Sequence, residues 1–149
     1  MTPESIAEYV VATFAGVDVQ VASEDDGSPE AAWGDTFIFY NPDRVPGGRM
    51  FPFATIVTKD YDGFDEASRL NRPGAFRLNI GLSRATFEAL FPDEPAALDY
   101  SKPGQLLPHP VYGQNQWVCV VNPSEAMFER LKPLLQEAYE RAVRRWRAG

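Results

Sequence analysis

The sequence predicts an α+β domain of two layers, a mostly antiparallel sheet covered on one face by an N-terminal and a C-terminal helix. Three observations carry that expectation. Apolar residues recur at helical spacing near both termini. Between them lie short segments rich in β-branched and aromatic residues that alternate with polar ones. The connections between neighbouring strand segments read as turns and loops rather than helical crossovers, so the strands run antiparallel.

The first helix is expected over 3–15. Thr2 precedes Pro3, which is favoured at the first helical position; Ile6, Val10, Val11 and Phe14 make its stripe, and Gly16 ends it. Val17, Val19 and Val21 alternate with polar residues and predict a strand over 17–22, and the acidic stretch 24–34 reads as a loop. Thr36–Tyr40 predicts the next strand, Val45-Pro46-Gly47-Gly48 a turn, and Met50–Lys59 a longer strand that closes a hairpin. Residues 60–74 are irregular, with one helical turn around 65–70. Ala75–Gly81 reads as a strand with Phe76, Leu78 and Ile80 on one face and Arg77 and Asn79 on the other. Ser83 caps a short helix that Pro92 stops. A Pro-rich loop spans 92–115, the last strand 116–121, and the final helix 124–147. Phe128, Leu131, Leu135, Ala138, Ala142 and Trp146 form the stripe of that helix, and Pro133 is expected to kink it or split it in two.

The length of 149 residues fits one domain, expected to span 1–149. Such a chain buries about two-thirds of its unfolded surface and needs no disulfide to fold. Its one cysteine, Cys119, sits among Trp117, Val118, Val120 and Val121 and reads as a buried strand residue. No secretion signal and no apolar run of bilayer length is visible, so a cytoplasmic protein with no membrane partner is expected. The net charge is −7, and it is localised: residues 1–43 carry nine acidic side chains and no Lys or Arg, while the remainder carries fourteen basic against twelve acidic. Nucleic-acid binders usually present a basic field, and this composition disfavours one. The basic run Arg141, Arg144, Arg145 and Arg147 reads as a solvated helix end that complements the helix dipole.

The segments Gly48-Arg49-Met50-Phe51-Pro52-Phe53, continuing to Asp60, and Phe76-Arg77-Leu78-Asn79-Ile80-Gly81 resemble a family of uncharacterised bacterial proteins. His109-Pro110-Val111-Tyr112-Gly113 leading into Trp117-Val118 resembles that family's third block. The resemblance covers most of the chain and implies no known activity. More distantly, the chain resembles the MmcQ/YjbR-like proteins, through the Gly48-Arg49-Met50-Phe51 strand, Tyr112, Trp117 and a helical Ala138-Tyr139 pair. In that family Lys stands where this chain has Arg49, and Ser where it has Ala138. That resemblance implies a two-layer fold of the secretion-chaperone kind and a proposed DNA-binding role.

Candidate chemistry is sparse. His109 is the only histidine; it is either a general acid/base or a loop histidine that fixes the chain by hydrogen bonds. No Gly-x-Ser-x-Gly elbow accompanies it, so a Ser-His-Asp triad is not expected, and no catalytic residue is assigned. One His and one Cys cannot build the common zinc sites. Asp60-Tyr61-Asp62-Gly63-Phe64-Asp65-Glu66 has its glycine in the wrong place for an EF-hand and reads as a solvated turn. No metal and no cofactor are expected. The sharper expectation is a ligand-binding set of Arg49, Lys59, Arg72, Arg77, Asn79, His109, Tyr112 and Trp117, cations and an amide beside aromatics. The bland alternative pairs those cations with Asp60, Asp62 and Asp65 at the surface. The first functional expectation is therefore a non-catalytic module, monomer or homodimer, that binds a small anion or a protein partner. Nucleic-acid binding comes second, and a small hydrolase or lyase using His109 third.

Overall fold

The computed structural model describes residues 1–46, 51–93 and 97–149. Helix α1 spans Pro3–Thr13. Its entry is fixed by a capping box in which Thr2 Oγ1 accepts from the Ser5 amide at 3.0 Å and Ser5 Oγ accepts from the Thr2 amide at 2.9 Å. Strands follow at β1 (Val17–Val21), β2 (Thr36–Tyr40), β3 (Ala54–Val57) and β4 (Arg77–Gly81). The short helix α2 (Arg84–Leu90) comes next, then β5 (Leu107–Pro108), β6 (Trp117–Val121) and the long helix α3 (Glu125–Ala148). The strands form one open sheet in the order β1-β2-β3-β4-β6-β5, and every neighbouring pair is antiparallel.

The alternation read in the sequence divides the sheet into two faces. Ile38, Ala54, Ile56, Leu78, Ile80 and Val118 point to one of them and are buried there. α1 contributes Ile6 and Val10 to that core, and α3 contributes Phe128, Leu131, Leu135 and Ala138. The fold is thus the expected α+β layering, with an N-terminal helix and a long C-terminal helix against an antiparallel sheet.

Four local expectations differ from what is observed. β3 occupies only Ala54–Val57 of the stretch expected from Met50 to Lys59, and Gly47, Gly48, Arg49 and Met50 lie outside the described residues. Residues 65–70 form no helical turn; an isolated bridge pairs Tyr61 with Asp65 instead. The Pro-rich loop contains β5, whose Leu107 and Pro108 pair with Cys119 and Val118. Finally, α3 is one helix across Pro133. Pro133 and Glu129 are both exposed, so the carbonyl that loses its helical donor faces solvent, and the buried stripe continues on both sides. Among the described residues no helix is long and apolar enough to cross a membrane.

Candidate functional site

The other face of the sheet carries a different chemistry. The same period of two that buries Leu78 and Ile80 sends Arg77, Asn79 and Gly81 of β4, Thr55 and Val57 of β3, Phe37 of β2 and Trp117 of β6 to this side. Segments around Phe53, Tyr61–Asp65 and His109–Tyr112 rise around them and enclose a cleft of about 730 Å³. That is within the range of roughly 300–1,000 Å³ typical of small-molecule sites. The cleft reaches round the Gly81 end of the sheet to α3, where Arg141 and Arg145 line it.

Arg77 lies at the floor and is fully buried. A guanidinium has five N–H donors, and four of these have an oxygen acceptor. Nε donates to Asn79 Oδ1 at 2.8 Å. Nη1 donates to Asp65 Oδ1 at 3.0 Å and to Ser68 Oγ at 2.8 Å. Nη2 donates to Asp65 Oδ2 at 2.5 Å and faces His109 Nε2 at 3.0 Å. Asn79 in turn donates to Thr55 Oγ1 at 2.9 Å. The bidentate Asp65 carboxylate neutralises the buried charge, and the fifth donor is turned to the buried His109 ring.

His109 closes this network. β5 positions it, with its amide bonded to the Trp117 carbonyl at 2.9 Å. Its Nδ1 accepts from the Val111 amide at 3.0 Å and the Tyr112 amide at 2.9 Å, while Nε2 faces the Arg77 guanidinium. Because two backbone amides donate to Nδ1, the neutral ring carries its one proton on Nε2, and a second proton on Nδ1 would set an N–H against both amides. Burial first, and the Arg77 charge second, push its pKa down from 6.5 to about 3, against the opposing pull of Asp65. A ring held neutral, its one lone pair already accepting two backbone amides, has none to offer the cleft as a base. Cys119 is equally inert: burial pushes its thiol pKa up to about 12.

The sequence candidates separate into two groups. Arg77, Asn79, His109, Tyr112 and Trp117 come together at the cleft. Lys59 and Arg72 are held elsewhere. The Lys59 ammonium donates to the Trp33 carbonyl and lies 3.7 Å from the fully buried Asp35 carboxylate. Arg72 is exposed and spends its guanidinium on the carbonyls of Ser68, Arg69 and Ser101. Arg49 lies outside the described residues.

Sequence reasoning missed the aromatic wall and the cations that serve the cleft. Phe37, Phe51, Phe53, Tyr61 and Phe64 add to Tyr112 and Trp117 along it. Tyr61 is fixed by its hydroxyl, which donates to Asp35 Oδ2 at 2.5 Å, and burial is the main cause that raises its pKa well above the usual phenol value. Arg141 and Arg145, one helical turn apart, belong to the run that reads in the sequence as a solvated helix end. Arg141 is half-buried and donates from Nη1 to the Leu82 carbonyl at 2.8 Å. Among the described residues neither arginine has a carboxylate within ion-pair distance. The nearby Glu137 is engaged elsewhere, accepting from the Ser83 amide at 3.0 Å and from the Thr86 hydroxyl at the start of α2. Burial lowers the Arg141 pKa, and the charges of Arg145 and Arg144 lower it further against the opposing effect of Glu137. These are the marks of a cationic spot short of a negative partner. The i, i+4 spacing was the available signal; what it lacked was the knowledge that this end of α3 borders a cleft.

Over residues 1–149 the chain matches the model of a family of unknown function, DUF6194, and it belongs to that family. No curated protein and no solved structure matches it.

Proposed function

We propose that this DUF6194 member is a non-catalytic binding module whose cleft takes a small amphipathic anion. The observation that carries the reading is the pairing of an aromatic-walled cleft with two arginines at its end, Arg141 and Arg145, that have no carboxylate partner among the described residues. Arg77 has the opposite role. Its charge is cancelled by Asp65 and four of its donors are held by Asp65, Ser68 and Asn79, so it holds the floor rigid. A ligand would bury its apolar body among the aromatic rings and direct its acid group to α3.

Thermal unfolding in the presence of a panel of carboxylates and phosphates tests this. Amphipathic anions are expected to raise the melting temperature, and Arg141→Gln with Arg145→Gln is expected to remove the effect while leaving the ligand-free protein folded. A panel without any stabilising compound, together with a flat calorimetric titration, would refute the proposal.

A second reading, a protein partner at the same mouth, draws on the exposure of Phe51 at 74% and Phe64 at 56%. Nucleic-acid binding rests on the exposed Arg144, Arg145 and Arg147 and on the distant MmcQ/YjbR likeness of the Tyr112 and Trp117 region. Both stand behind the small anion, because the arginine pair borders a concave cleft of small-molecule size. A hydrolase built on His109 ranks last, since its ring nitrogens are already engaged.

A further inference from the structure

Gly81 and Trp117 are register partners on β4 and β6. A Cβ placed on Gly81 would lie 2.9 Å from Trp117 Cε2, 3.0 Å from Cζ2 and 3.2 Å from Nε1. Cε2 is bonded to the other two atoms. A point approaching in the ring plane from outside would meet Cζ2 or Nε1 first, whereas a point above the plane meets Cε2 first. The indole therefore lies with one face over Gly81, and the missing side chain is what lets it lie there.

The indole is also part of the cleft wall. Trp117 is half-buried and lines it, and no other aromatic ring of the described residues stacks on it. Its Nε1–H has no hydrogen-bond partner among the described residues, unlike Trp33, whose Nε1 donates to the Ser28 carbonyl at 2.8 Å. The residue that follows β4 is Leu82, and its carbonyl receives Arg141. A flat aromatic ring and its unused N–H donor on Trp117, and the guanidinium of Arg141, thus meet the chain at two consecutive residues, Gly81 and Leu82.

We infer that the ligand is planar, an aromatic oxyanion whose ring stacks on Trp117 over Gly81 and whose carboxylate or phosphate meets Arg141 and Arg145. This rests on the binding reading above and specifies its ligand class. Stacking favours a planar ring over an aliphatic chain of similar area, and the guanidinium forks favour a planar carboxylate or a phosphate.

Titration calorimetry with 1-naphthoate, 1-naphthyl phosphate and octanoate decides the matter. Either naphthyl compound is expected to bind at least about fivefold more tightly than octanoate. Trp117→Leu should erase that preference, Trp117→Phe should keep part of it, and Gly81→Ala should weaken it by pushing the indole off its seat. Arg141→Gln should weaken all three ligands alike. In a background of Trp33→Phe and Trp146→Phe, naphthoate should quench the remaining indole emission and octanoate should not. Circular dichroism identifies any variant that fails to fold, and the wild-type quenching and ligand preference stand apart from the variants. If octanoate binds as well as naphthoate, or if Trp117→Leu leaves the preference intact, the planar-ligand inference is overturned while the binding reading survives. If none of the three binds, the binding reading itself fails and takes the inference with it.

Discussion

Arg77 shows how far a single residue can be read before its partners are known. The alternation along β4 places it on the face opposite Leu78, and that much is legible in the sequence. What is not legible is that Asp65 and Ser68, from a segment without periodicity, close around it. Arg77 does pair with Asp65, but in the interior rather than at the surface, and in the same network it meets Asn79 and His109. Removing one partner leaves an uncompensated buried charge, so Arg77→Met is expected to cost about 3–5 kcal/mol in urea unfolding. Adding Asp65→Asn should recover a substantial part, because the orphaned charge goes with it. An Arg77→Met protein as stable as the parent would show that the network is not closed. His109 gives a second readout. Its pKa is about 3 in the fold against 6.5 for a free imidazole. Unfolding below pH 6.5 therefore takes up a proton, so this contribution leaves stability intact above 6.5 and lowers it as pH falls toward 3, by at most about 1.4 kcal/mol per pH unit. The urea midpoint should fall between pH 7 and pH 5, and His109→Gln should flatten that slope; an unchanged slope would mean that other groups cause it.

Elements with strong periodicity are legible, and those defined by pairing alone are not. α1, β1, β2 and β6 stand within two residues of their expected ends, because burial on one face imposes a pattern that sequence displays. β5 has two residues, one of them proline, and exists only because Cys119 and Val118 pair with it. Yet it is the element that delivers His109 to Arg77. The irregular 60–72 segment is similar. Its order comes from side chains, with Asp60 Oδ1 accepting the Leu70 amide at 2.7 Å and the Asn71 side chain accepting the Asp60 amide at 3.0 Å. Pro133 illustrates the opposite error, a strong local rule overridden by context. The buried stripe of α3 holds the helix together across it, at the cost of one backbone hydrogen bond on the solvent side. Replacing it should restore that bond without emptying any core space. Pro133→Ala is expected to stabilise the protein by about 1–3 kcal/mol, seen as a higher denaturant midpoint with an unchanged slope. A loss of stability would show that the ring packs or shapes the helix in a way its exposure conceals.

At the scale of the molecule, charge and fold divide the surface. The first 43 residues hold nine of the acidic side chains and no Lys or Arg, and they build α1, β1 and β2 at one edge of the sheet. The basic end of α3 reaches the cleft from the helical layer. A small anion needs only that local field. A polyanion has to lie across a wider surface and meets a net charge of −7. The two classes of partner therefore differ in salt response. Small-anion binding, with one or two charges engaged, should weaken only modestly between low salt and about 150 mM. Duplex-DNA binding through several phosphates would fall by orders of magnitude over a similar range, because each phosphate contact releases counterions. Fluorescence anisotropy with labelled duplex, run beside naphthoate titration at both salt concentrations, separates them. The expected result is no duplex binding at either concentration and no displacement of naphthoate by excess duplex. A tight duplex complex with a steep salt slope, weakened by Arg144→Gln and Arg147→Gln, would instead make the exposed basic end of α3 the functional surface and leave the cleft as a consequence of packing.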